Sequence, residues 1–150
     1  MLGAVFLALL SACRGSPSAP ERALATGQWL GVTSGVRVAL AIVESTQPDP
    51  IFGRFQSIDG TGSLTIVATG ESMPFIASGA RTSTTNPTGI VINLEEPGSD
   101  LFAKKWYGHF WGQLNEAGDL AGTIDGSQPN TIGPLQGGSF TDKPITLRRR

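Results

Sequence analysis

The chain has 150 residues, a formal charge of −1 and only 15% charged residues, so no overall basic field exists to attract nucleic acid. One cysteine excludes an intramolecular disulfide and any cysteine-rich metal site. Twenty glycines and ten prolines in a length suited to one domain point to short strands joined by tight turns.

Leu2 to Leu10 is an unbroken small and apolar run. It is shorter than the about 20 residues of a membrane span, but it suits the apolar core of a signal peptide. Leu10-Ser11-Ala12-Cys13 follows directly and resembles the bacterial lipobox: an aliphatic residue, two small residues, then the cysteine. That resemblance implies a signal peptide over residues 1–12 and a diacylated Cys13 as mature N-terminus, with palmitate-type chains holding the protein to a membrane. Each buried methylene contributes about 0.8 kcal/mol, so two or more chains anchor stably. The expected location is the cell envelope, on the outer membrane if two membranes exist, because Arg14 is not the aspartate associated with inner-membrane retention. No Lys or Arg precedes the apolar run, which leaves an upstream start open. An ordinary secretory signal cut near Ala12 or Ala19 is the alternative. Residues 13–26, polar and proline-bearing after the cysteine, read as the lipidated end and a flexible spacer.

From Gly27 onward the apolar residues recur with period two between closely spaced turn signals, the pattern of an all-β domain. Gln28–Thr33 is the first strand, turned by Ser34-Gly35 into Val36–Glu44, where Val36, Val38, Leu40 and Ile42 share a face. After Gln47-Pro48-Asp49-Pro50 comes Ile51–Ile58, ended by an Asp59-Gly60 turn. Leu64–Thr69 and Met73–Ala80 follow, either two strands or one bent strand with a bulge. Ile90, Ile92 and Leu94 mark the next strand, then Lys105–Asn115, a hairpin through Ala117-Gly118-Asp119 into Leu120–Asp125, and finally Phe140–Arg148. The total is eight strands, or nine if the middle segment splits. Successive hairpins favour an antiparallel up-and-down β-barrel over residues 27–150, since closure removes the two unpaired edges of an open sheet.

Gly27-Gln28-Trp29 opens the first strand and Arg148-Arg149-Arg150 ends the last. This resembles the calycin pattern of lipocalins and avidin-like barrels. The resemblance implies that Trp29 closes one barrel end and that Arg148 or Arg149 packs across it. Gly27-Gln28-Trp29-Leu30-Gly31 and Gly118-Asp119-Leu120-Ala121-Gly122 are also similar to repeated pieces of small bacterial envelope lipoproteins. No second or third lipocalin motif is present, and the biotin contacts of avidins have no match.

The densest chemistry lies at Lys104-Lys105-Trp106-Tyr107-Gly108-His109-Phe110-Trp111. Strand alternation sends Trp106 and Phe110 one way and Tyr107, His109 and Trp111 the other. As a candidate ligand wall these five residues would stack a flat or apolar molecule, with His109 as polar handle. The plainer reading is packing: one set fills the barrel and the other covers its outside. His109 is the single histidine and has no partner ligands at metal-binding spacing. No nucleophile elbow stands among the serines. The chain is therefore expected to be non-enzymatic, without metal or cofactor, binding a small apolar ligand or lipid moiety inside its barrel. The alternative is a filled barrel acting on proteins through its outer surface. An enzyme would need a cleft in which His109 bonds to a serine or carboxylate.

Overall fold

Side chains that alternate inward and outward along every strand require a surface with two faces, and here the inner face closes on itself. A computed structural model describes residues 23–51, 53, 55–82, 89–98, 106–127 and 140–150. Eight antiparallel strands run β1 (Gly27–Thr33), β2 (Val36–Glu44), β3 (Phe55–Ile66), β4 (Ser72–Thr82), β5 (Ile90–Glu95), β6 (Tyr107–Leu114), β7 (Leu120–Ser127) and β8 (Phe140–Arg149). Each pairs with its successor, and β8 pairs with β1, giving a closed up-and-down barrel. Among the described residues no helix is long and apolar enough to cross a membrane.

The β1–β2 turn shows how local chemistry sets the register. Ser34 and Gly35 both lie in the left-handed region, at φ 47° and 77°, which suits a two-residue hairpin turn. Thr33 therefore pairs with Val36, and Trp29 with Leu40 eleven positions along. Val36, Val38, Leu40 and Ile42 point into the barrel, where Ile58, Leu64, Phe75, Ile92, Leu94, Phe110 and Leu147 meet them.

The middle of the chain departs from the sequence expectation. Asp59-Gly60 is not a turn but the centre of β3, which runs unbroken from Phe55 to Ile66. The hairpin falls later, around Gly70, and separates β3 from β4. The eight strands thus arise from a different division: Ile51–Ile58 and Leu64–Thr69 merge in part, while Met73–Ala80 stands alone. Close approach explains the glycines in β3. A Cβ on Gly62 would overlap the Ala39 carbonyl oxygen and the Phe75 ring, so the missing side chain makes room for both neighbours.

A second departure concerns the spacer. Ala23–Thr26 lie against the barrel end where β1 begins and β8 finishes, here termed the proximal end, and Ala25 is 0% exposed. The domain thus starts at least four residues before Gly27. Cys13 and the rest of residues 1–22 lie outside the described residues.

Candidate functional site

Two places in the barrel gather polar and aromatic chemistry: the proximal end and the outer face of β6. The proximal end is organised around the backbone of Ala23–Thr26. Trp29 Nε1 donates to the Ala25 carbonyl at 2.9 Å, and Arg149 Nη2 to the Leu24 carbonyl at 2.7 Å. Arg81 Nη1 donates to the Ala23 carbonyl at 3.0 Å, while Ala25 N–H donates to Glu44 Oε2 at 2.6 Å. Glu44 N–H in turn donates to Thr26 Oγ1 at 2.8 Å. Arg81 and Glu44 form an ion pair at 3.1 Å, with both side chains almost fully buried. Burial of two charges is tolerable only with such pairing and with hydrogen bonds to nearby backbone. The Arg149 guanidinium carbon sits 4.8 Å from the Trp29 ring centroid. Arg148 is exposed on the outer wall. These contacts hold the chain's approach to the barrel.

Strand β6 is different. Trp106 just before it and Phe110 within it are 3% and 1% exposed. Trp106 meets the Phe75 ring edge-on, with centroids 5.8 Å apart. Both residues belong to the packed interior. Tyr107 and Trp111, on the opposite parity, are 42% and 43% exposed. His109 stands between them, near-parallel to the Trp111 ring at 5.4 Å and edge-on to Tyr107 at 6.1 Å. The five aromatic and imidazole residues singled out from the sequence therefore do not converge: two line the inside and three form a strip on the outside.

Asp125 fixes the middle of that strip. Its Oδ1 accepts the His109 backbone N–H at 2.8 Å and faces His109 Nδ1 at 3.0 Å. Beside that carboxylate the favoured neutral tautomer carries its hydrogen on Nδ1. Among the described residues no hydroxyl or thiol bonds to Nε2. Nor do three or more His, Cys, Asp or Glu residues converge among the described residues to hold a metal ion.

Across the strands, Asp59, Ser78, Asn93, His109 and Asp125 are direct register partners in one row. Val91 and Thr123 flank Trp111, and Glu95 and Ser127 flank Tyr107. An open depression of about 320 Å³ lies on the same wall, bounded by Asp49, Phe55, Ser57, Gly79 and Ala80.

Sequence reasoning passed over Asp125, Glu44 and Arg81. A signal for Asp125 was present: residues equidistant from Ala117, the middle of the β6–β7 hairpin, are paired, and His109 and Asp125 are such a pair. No comparable signal joins Glu44 to Arg81, which belong to strands separated by β3. No family model matches the chain, no curated protein matches its sequence, and no solved structure matches its fold.

Proposed function

We propose that this chain is a membrane-tethered envelope module, lipidated on Cys13, whose filled barrel acts through the outer face of β5–β7. The observation that carries the reading is the opposite fate of alternating residues on one strand. Trp106 and Phe110 are consumed by the interior, whereas Tyr107 and Trp111 stay more than two-fifths exposed beside a positioned histidine. Aromatic side chains supply large contact area with little conformational freedom to lose, which is why they dominate binding surfaces. An eight-stranded barrel is just wide enough for its side chains to fill, and the inward residues here are large and mutually packed. The lipobox resemblance supports the tether, and a non-enzymatic role fits a His–Asp pair that bonds to no hydroxyl or thiol among the described residues. An interior apolar ligand, the other expectation, draws less support because its two best wall residues already pack against the core.

The tether and the face are tested separately. Metabolic labelling with a palmitate analogue should mark the wild-type chain and not Cys13→Ser. For the face, acrylamide should quench Trp111 in the full chain, while the apolar dye N-phenylnaphthylamine gains no fluorescence. Strong dye uptake that is lost in Phe110→Ser would return the function to the interior.

A further inference from the structure

Strand β1 is the spine of an outer wall, with β8 on one side of it and β2 on the other. Its outward side chains are Gln28, Leu30 and Val32, and Val32 is 57% exposed. Two open depressions flank it. One, of about 620 Å³, is bounded by Leu30, Val32, Ala121, Pro144 and Arg148. The other, of about 270 Å³, is bounded by Gln28, Ala39, Ala41, Ser63 and Arg150. Each sets small or apolar side chains beside one arginine. Arg150 is fixed there by its backbone N–H, which donates to the Gln28 carbonyl at 2.9 Å.

Among the described residues, the charged side chains facing out from β1, β2 and the part of β8 after Pro144 are Arg37 and Arg148, with Arg150 just beyond the strand. Arg149 turns over the Trp29 ring, and Glu44 is buried. Asp142 and Lys143 stand side by side at the start of β8. Carboxylates mark the limits of the wall: Asp59 on β3 beside Val43, Asp125 on β7, and Glu116 and Asp119 in the β6–β7 turn. Among the described residues none of these forms an ion pair with Arg148, Arg149 or Arg150. Of the adjoining segments outside the described residues, 128–139 contains no ionisable side chain, position 54 between β2 and β3 is arginine, and 14–22 contains Arg14, Glu21 and Arg22.

We propose that this wall of β8, β1 and β2 rests on the anionic phospholipid surface that seats the tether, with Leu30 and Val32 entering the headgroup layer and Arg148 and Arg150 each meeting a phosphate. The inference rests on the Cys13 tether proposed above and names what the barrel does beside the bilayer. Position selects the partner. Arg149 holds the Leu24 carbonyl at the proximal end, so the chain arrives next to this wall. Cys13 precedes Ala23 by ten residues, a reach of at most about 36 Å. A bilayer that holds Cys13 is therefore always within that distance of Ala23, at a high effective concentration. Arginines near an anionic surface and aliphatic side chains in its headgroup layer both favour contact, and the long arginine stems lie along apolar surface while their heads reach phosphate. Strand β5 is four strands from β1 in either direction round the ring, so this contact leaves the Trp111 strip of β6 facing away from the bilayer.

The test places a thiol-reactive nitrobenzoxadiazole dye on Val32→Cys and, separately, on Ile76→Cys of β4, an exposed site on the far side of the ring. The full lipidated chain is used, in which the Cys13 sulfur is already taken up as a thioether. It is reconstituted into phosphatidylcholine vesicles with or without phosphatidylglycerol, and quenching by brominated phospholipid reports contact. With phosphatidylglycerol the dye at position 32 should be quenched and the dye at position 76 should not. Arg148→Gln with Arg150→Gln should lower the docked-to-free ratio about tenfold or more, and Arg148→Lys with Arg150→Lys should keep most of it. All of these side chains are exposed, and thermal melts identify any variant that unfolds. Equal quenching at the two sites, equal quenching with and without phosphatidylglycerol, or no effect of the glutamine pair overturns the proposal. So does shielding of position 32 that rises with protein density on phosphatidylcholine alone, because a second copy then covers the wall. If Cys13 also takes up dye and the chain leaves the vesicles, the tether fails and the docking with it. If Cys13 is blocked and position 32 stays in water, the docking fails and the tether stands.

Discussion

Glu44, at the end of β2, and Arg81, near the end of β4, meet at 3.1 Å in the sealed proximal end of the barrel, and each also grips the backbone of Ala23–Thr26. The pair thus does two things at once. It neutralises charge inside the barrel mouth and locks the chain's approach to β1.

Breaking that pair from one side should be severe. Arg81→Met leaves Glu44 buried with its charge unbalanced, and Glu44→Gln does the same to Arg81. Each is expected to cost about 3 to 5 kcal/mol of stability, while Glu44→Gln with Arg81→Met together cost less than the two single losses combined. Urea unfolding of the four proteins, treated as a double-mutant cycle, measures the coupling directly.

Removing the strap should also be felt. A chain beginning at Ala23 should unfold at nearly the same urea concentration as the full chain. One beginning at Gly27 loses the backbone partners of Arg81, Glu44, Trp29 and Arg149 and should be less stable by at least about 2 kcal/mol. Equal midpoints for the two truncations would contradict a structural role for Ala23–Thr26.

Arg149 is exposed at the barrel end above the buried Trp29 ring, and solvent around the guanidinium limits the strength of their contact. Arg149→Ala should lower stability by about 1 kcal/mol, and Arg149→Lys by less. A larger loss from Arg148→Ala, whose side chain points away on the outer wall, would show that the packing has been assigned to the wrong arginine.

Gly62 tests the close approach inside β3. Gly62→Ala should cost about 1 to 3 kcal/mol, because the added methyl meets both the Ala39 carbonyl and the Phe75 ring. Phe75→Leu introduced beside it should relieve only the ring overlap. Full restoration would mean that the carbonyl contact is not a constraint. Gly70→Ala, in the β3–β4 turn at φ 76°, should be costly for a different reason, the strain of a left-handed backbone.

The three tryptophans divide cleanly by exposure, and solution chemistry should follow. Trp29 and Trp106 are buried and Trp111 is not. N-bromosuccinimide should oxidise one indole rapidly in the folded protein and the other two only on unfolding, with mass spectrometry placing the fast event at Trp111. Rapid oxidation of Trp106 would reveal an open barrel.

The sequence by itself determined the class of fold, because alternation needs no tertiary information. Val36, Val38, Leu40 and Ile42 declare an inward face through period two, and Ser34-Gly35 declares the turn that registers β1 on β2. The parting of Trp106 and Phe110 from Tyr107, His109 and Trp111 was legible in the same way. Which set faced inward was not, since a strand's two faces are equivalent until a core forms on one of them. Local signals misled at Asp59-Gly60, where a pair that favours turns serves a long strand that needs glycine beside Phe75. Asp125 could be reached by counting outward from Ala117, because a hairpin's register is local. Glu44, Arg81 and Ala23–Thr26 could not, because their bonds join segments separated by whole strands and exist only in the folded barrel. Local periodicity fixes which residues share a face; closure decides which face is buried and which distant charges must answer one another.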